Sequence, residues 1–240
     1  KVKDIRSGQL QAVIDSAVKQ GMSRSSLEKI KVLAVMMEDY ACQNDIISKN
    51  YAKFLSLPRE EKEEKAIFNT MDMKKIEEGA KNNIGISDLI LVMCYTGWRI
   101  QEFCLLSIFS YDRKEKTIKG GLKTDAGRDR VVYVPNKVLP IVEKYAALNG
   151  PSLFCRQTAD GKLVPYEVKR LRSDFYDTLT ALGIKAAEGK KLTPHSTRHT
   201  YNSMLNRAGV DLTTRMKLMG QVSEVTNLEK YTHSDLEQMK

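Results

Sequence analysis

The sequence predicts a mainly α-helical chain with one small antiparallel β-sheet, divided into a helical first domain and a mixed α/β second domain. Three observations predict it. Apolar residues recur at helical spacing over most of the 240 residues. That period gives way between Ile108 and Val134 to short β-rich runs parted by polar or glycine turns. After Pro58 a mixed-charge run, REEKEEK, carries no apolar period, as a solvated linker does. The domains are expected at 1–58 and 70–240, with 59–69 as the charged linker.

In chain order, Leu10, Val13, Ile14, Ala17 and Val18 make a first helical pattern. The stretch Met22 to Leu57 reads as two further helices. The first opens at the cap residue Ser23 and has an inner face of Leu27, Ile30, Leu33, Ala34, Met37 and Tyr40 or Ala41. In the second domain, helices are expected at Met71 to Gly79 and Ile86 to Tyr95, followed by an amphipathic stretch from Gln101 to Ser107. Strands are expected at Ile108 to Tyr111, Lys116 to Lys119 and Arg130 to Val134. Helices return at Val138 to Leu148, Tyr166 to Leu182, Ser196 to Ala208 and Leu212 to Met219, punctuated by Gly150-Pro151, Gly183 and Gly209.

At 27.2 kDa the chain can bury a core without disulfide or metal staples, and 42% hydrophobic with 29% charged residues excludes disordered and collagen-like classes. Cys42, Cys94, Cys104 and Cys155 lie far apart without a CxxC pair and read as reduced core thiols. The longest apolar stretch, Ile84 to Tyr95, falls short of the roughly 20 residues that span a bilayer. The first residues hold no secretion signal, and the absence of an initiating Met suggests a start further upstream. A folded cytoplasmic protein is expected. Its net charge of +9 and pI near 9.3 point to a polyanion, with nucleic acid favoured over anionic lipid because no basic amphipathic tail occurs.

Ordinary nucleotide and hydrolase motifs are missing: there is no GxxxxGK[ST], no GxGxxG and no GxSxG. His195 and His199 have a spacing that zinc can use, but the residues between them include Arg198 rather than a Glu. No metal or other cofactor is expected. The informative constellation is Thr96-Gly97-Trp98-Arg99-Ile100-Gln101-Glu102, then Gly121-Leu122-Lys123-Thr124, Thr193-Pro194-His195-Ser196-Thr197-Arg198-His199, and Glu229-Lys230-Tyr231-Thr232-His233. In these residues the chain resembles the tyrosine recombinase, or phage-type integrase, family. The order Arg, Lys, His-x-x-Arg, Tyr matches that family's pattern, with the Tyr 33 positions beyond the second Arg. The likeness extends to SLEKIKVLAVMMEDYACQNDIISKN, which looks like the family's helical core-binding domain, and it is strongest to integrases of Gram-positive phages and conjugative transposons.

The resemblance implies a site-specific DNA recombinase that integrates or excises a mobile element through a covalent 3′-phosphotyrosine. Such a link keeps the phosphodiester energy without metal or nucleotide. Tyr231 would be the nucleophile, and His195 the base that helps ionise a phenol whose ordinary pKa is near 10. Arg99 and Arg198 would clamp the nonbridging oxygens of the transition state. Lys123, on the expected hairpin, would protonate the leaving 5′ oxygen. Tyr201 is the rival nucleophile and Lys119 the rival lysine. The family's sixth position, usually His and sometimes Trp, is Gln221 here; its amide can donate a hydrogen bond but cannot carry charge.

Outside this set, Arg24, Lys29 and Lys31 on the first domain are expected to meet phosphates. So are Lys119, Arg128 and Arg130, from a segment, Arg113 to Lys137, with eight basic residues against three acidic ones. The implied partners are double-stranded DNA, further copies of the chain assembling on DNA as a tetramer in the synaptic complex, and an excisionase or host DNA-bending protein, with no membrane. The family also implies a C-terminal segment exchanged between protomers. Two other readings stay open at this stage: a DNA-binding protein of the same fold with impaired catalysis, which Gln221 favours, and a monomeric type IB-like topoisomerase.

Overall fold

The computed structural model describes residues 2–59, 66–122 and 129–221. The chain divides into two compact units, Lys1–Glu63 and Glu64–Lys240. Among the described residues it is mainly helical, with two small antiparallel sheets.

In the first unit, α1 (Ser7–Lys19) packs against α2 (Arg24–Gln43). Ile14 of α1 meets Ala52 and Leu55, with Leu10, Ile30, Ala34 and Val35 around them. Ser23 caps α2 as expected, its hydroxyl accepting from the Ser26 amide. The inner face of α2 is only half as read: Leu27 and Ala41 are buried, whereas Leu33, Met37 and Tyr40 are 59–65% exposed. The second helix expected before Leu57 shrinks to a single 3-10 turn, Ala52–Phe54. Side chains take over the backbone there. The buried Glu38 accepts from the amides of Tyr51 and Ala52, and Asn50 donates to Val35 O and Asp39 Oδ1, both at 2.9 Å.

The second unit is built around α4 (Ser87–Thr96). This helix is apolar on every side and buried on every side, from Leu89 through Cys94, as a central helix must be. Around it stand α3 (Thr70–Lys81), α6 (Leu139–Ala147), α7 (Val168–Ala181) and α8 (Pro194–Arg207). Gly97, at φ +65, ends α4, and the short α5 (Ile100–Cys104) begins three residues later. Last among the described helices comes α9 (Leu212–Met219), packed on α8 and capped at its start by Asp211.

One sheet has the order β1 (Tyr111–Asp112), β2 (Thr117–Gly120), β3 (Arg130–Tyr133). Its register sets Ile118 opposite Val132 and Gly120 opposite Arg130. Because side chains alternate along a strand, Arg130 and Val132 face inward while Val131 faces out. The strand expected from Ile108 is a 3-10 turn instead, Ile108–Ser110, in which the Ser110 hydroxyl accepts from the Ser107 amide at 3.1 Å. A second sheet, absent from the sequence reading, is the hairpin β4 (Cys155–Gln157) and β5 (Leu163–Pro165). It turns at Asp160-Gly161, with Gly161 at φ +81.

The four cysteines are all free; Cys94, Cys104 and Cys155 are buried and Cys42 is partly so. Among the described residues, no helix is long and apolar enough to cross a membrane.

Candidate active site

Four of the residues singled out by motif, Arg99, His195, Arg198 and Gln221, come together where α4 ends, α5 and α8 begin and α9 ends. Arg99 precedes the first turn of α5, and Glu102 reaches back to the Arg99 amide at 3.1 Å. The same carboxylate, 2% exposed, binds Arg99 Nη1 at 2.6 Å and Arg130 Nη2 at 3.1 Å. Arg99 itself keeps about a third of its side chain in solvent (35%). Beneath it Trp98 is fully buried, with the Arg130 guanidinium 4.0 Å above the ring centroid.

Thr193 and Pro194 start α8, proline taking the first turn, where its missing N–H costs nothing. This start is two residues earlier than expected, and it puts the exposed His195 in the first turn. His199 lies one turn on, its ring edge-to-face with His195 at 4.6 Å. Among the described residues, no cluster of three metal-ligating side chains forms around them. Arg198 points the other way and is fully buried. It donates from Nη1 to Gly97 O at 2.7 Å and from Nη2 to Met219 O, tying α8 to the ends of α4 and α9.

Burial pulls Arg198 down to about 9, with the charges of Arg130 and Arg99 adding to the fall. Burial likewise pulls Arg130 down to about 10, against the opposing pull of Glu102. Both remain cations at neutral pH. The Nε atoms of both find no acceptor among the described residues.

A cavity of about 390 Å³ opens at this junction, lined by Arg99, Ile100, Gln101, Thr193, Pro194 and His195 and by Arg172 and Tyr176 of α7. Its lining is cationic, and the positive end of the α8 dipole adds to it. Gln221, exposed, follows directly on the end of α9, one residue beyond the Gly220 carbonyl that Arg99 Nη2 approaches at 3.5 Å.

The structure thus brings Arg99, His195, Arg198 and Gln221 to one junction. Lys123, Arg128 and Tyr231 lie outside the described residues. The rival Tyr201 is buried, its phenol pushed up to about 12 by burial, and its ring lies against Gly97. Of the expected phosphate contacts, Lys29 and Lys119 are exposed, the latter 3.8 Å from Asp129. Arg24 pairs with Glu28 at 3.1 Å, and Lys31 donates to Leu55 O at 2.6 Å.

Arg130 is a correction. The alternation along β3 carries it inward to Glu102 and Trp98, so it offers no surface to a phosphate. Its phase with Val132 and Val134 was the signal in the sequence. Glu102, three residues after Arg99 at capping-box spacing, was already part of the quoted motif, and one neighbour of the site went unread. Arg172 falls on α7, where Arg170 is paired with Asp174 at 2.9 Å but Arg172 has no carboxylate partner among the described residues.

Residues 59–238 match the family model described as the phage integrase family. A tyrosine recombinase of Thermosipho africanus is 30% identical over 147 residues, covering 60% of this chain and 48% of that protein. The chain therefore spans about half the length of that curated relative. Among solved structures, the Tn1549 transposon integrase in complex with circular intermediate DNA superposes with a TM-score of 0.76 at 18% identity, over 99% of this chain and 85% of that one. A lambda integrase tetramer bound to a Holliday junction superposes at 0.72 and 14% identity, over 96% and 68%. With the family model covering three quarters of the chain, including Arg99, His195 and Arg198 in their one junction, the chain belongs to the phage integrase family of tyrosine recombinases.

Proposed function

We propose that the protein is a site-specific DNA recombinase that integrates or excises a mobile element, cutting and rejoining strands through a 3′-phosphotyrosine at Tyr231. The observation that carries this reading is the cavity where Arg99 and His195 stand together above the buried Arg198. Arg99, part-exposed at the cavity, stabilises the negative charge that builds on the nonbridging oxygens as phosphorus becomes five-coordinate, and Arg198, buried with both Nη groups on the Gly97 and Met219 carbonyls, adds its positive charge from within. His195 assists loss of the phenolic proton, the Tyr231 oxygen bonds to phosphorus, and the P–O5′ bond breaks. Lys123 gives the departing 5′ oxygen its proton. Attack by a second 5′ hydroxyl reverses the steps and reseals the strand.

Double-stranded DNA is the substrate, held by Lys29, Lys119, Arg128 and Arg172, with Arg24 and Lys31 at its margin. Support for an assembly on DNA comes from the Holliday-junction complex of the lambda neighbour, which is a tetramer. An excisionase or DNA-bending protein completes the set of partners, and the cytoplasm, where such DNA lies, is the place of action. A DNA-binding protein without cleavage is the second reading, and Gln221 is the observation in its favour. A nicked suicide duplex, which traps the cleaved state, separates the two. The recombinase reading expects a protein–DNA adduct that survives denaturant and forms without added metal. Tight binding with no adduct over hours would establish the second reading.

A further inference from the structure

A helix leaves its last carbonyls without intrahelical donors, and the end of α9 satisfies them in two ways. Gly220, at φ +55, closes a Schellman turn: its amide donates to Lys217 O, and the Gln221 amide to Met216 O, both at 2.9 Å. The next three carbonyls each face a guanidinium. Leu218 O takes Arg130 Nη1 at 3.2 Å, Met219 O takes Arg198 Nη2, and Gly220 O faces Arg99 Nη2 at 3.5 Å.

Of these three arginines, Arg130 differs in what else it holds. Its side chain is 4% exposed and lies on Trp98, so it cannot reach into the cavity. Its Nη2 binds Glu102 Oε2 at 3.1 Å, and the other oxygen of that carboxylate holds Arg99 at 2.6 Å. A single planar fork therefore joins the group that aims Arg99 to the helix end that delivers Gln221.

We propose that Arg130 is a positioning residue for strand cleavage, one that keeps Glu102 and the end of α9 in a fixed relation so that Arg99 and Gln221 meet one phosphate beside the buried charge of Arg198. The proposal rests on the recombinase reading above. A lysine at this position keeps the charge, but one ammonium on a flexible stem cannot hold Leu218 O and Glu102 Oε2 together as a rigid fork does.

The test uses the full chain with Arg130→Lys and Arg130→Met, and three measurements. Duplex affinity is followed across a salt series, single-turnover cleavage of the suicide duplex is timed at saturating protein, and amide hydrogen exchange is read in peptides spanning 212–221 without DNA. For Arg130→Lys the expected result is affinity within about threefold of wild type, an unchanged salt slope and a saturating rate lower by about a hundredfold, the scale of a misplaced reacting group. Exchange at the Gly220 and Gln221 amides should rise about tenfold, with α3 and α4 unchanged. Arg130→Met should show the same split more strongly, and if it does not fold, Arg130→Lys decides.

A normal saturating rate with weakened binding and a salt slope smaller by about 0.9 would make Arg130 a phosphate contact and overturn the proposal. Unchanged exchange at 220–221 would overturn it as well. If wild type itself forms no adduct, the recombinase reading fails, and the exchange measurement then decides on its own whether Arg130 holds the end of α9.

Discussion

Replacing Glu102 with glutamine exchanges one oxygen for an NH₂ group and removes the charge at the most connected carboxylate of the site, and its cost follows from the burial of each partner. The Arg130 side of the ion pair is almost dry, at 4% and 2% exposure for the two side chains. Removing one partner of such a pair strands the other charge and costs about 3–5 kcal/mol. The Arg99 side is 35% exposed, so water screens it and it adds at most about 1 kcal/mol. The amide keeps one acceptor oxygen but turns an N–H₂ group toward a guanidinium, so only one arginine retains its bond. The lower end of the range applies, about 3 kcal/mol, which for a unit of this size is a fall of about 6–12 °C in melting temperature. Scanning calorimetry of the full chain measures it. The double variant Glu102→Gln, Arg130→Met should recover part of the loss, because the Arg130 cation that the single variant strands is then gone. A fall in the single variant of under about 2 °C would show that the pair does not carry the charge balance assigned to it.

Three further outcomes follow from named contacts. Gly97→Ala places a Cβ 2.3 Å from Tyr201 Cδ1 at φ +65, so thermal unfolding should show a loss of at least about 2 kcal/mol; a neutral change would mean that α4 ends differently. Gln221→His should speed single-turnover cleavage roughly ten- to thirtyfold, worth about 1–2 kcal/mol, because a charged donor replaces a neutral one. An unchanged or slower rate would show that glutamine is adapted to this site. Arg172→Ala should weaken binding about equally for different duplex sequences and reduce the salt slope by about 0.9, and anisotropy titrations showing the wild-type slope would remove Arg172 from the DNA-contacting set.

Much of the second unit was legible because its helices carry their own stops. The reading of α9 as Leu212–Met219 agrees with the structure residue for residue, since Asp211 caps its start and Gly220 its end. The apolar run of α4 gave the helix expected at Ile86 to Tyr95, though not its central place. Misreadings arose where side chains compete with the backbone or where period alone cannot choose a face. Glu38 and Asn50 turned an expected helix into a 3-10 turn. Leu33, Met37 and Tyr40 share helical spacing with the buried residues of α2 yet stand in solvent. The β4–β5 hairpin was missed although Asp160-Gly161 is a turn pair, because its strands are only three residues long.

In the site, the sequence order picked out Arg99, His195, Arg198 and Gln221, which the fold gathers at one junction. What it could not reveal was the web beneath them. The carbonyls of Gly97, Leu218, Met219 and Gly220 have no side-chain identity, so no motif records their claim on three arginines. For the same reason Arg130 looked like surface charge until the strand register turned it inward.

The central claim, cleavage by a covalent tyrosine link, is tested most directly by finding the atom that holds the DNA. The suicide-duplex adduct is digested with trypsin and nuclease, and the peptide that retains a nucleotide is sequenced by mass spectrometry. The account predicts a phosphodiester on Tyr231 and no adduct from Tyr231→Phe, with duplex affinity retained. A nucleotide on Tyr201 or any other residue, or an adduct formed at the normal rate by Tyr231→Phe, would contradict it.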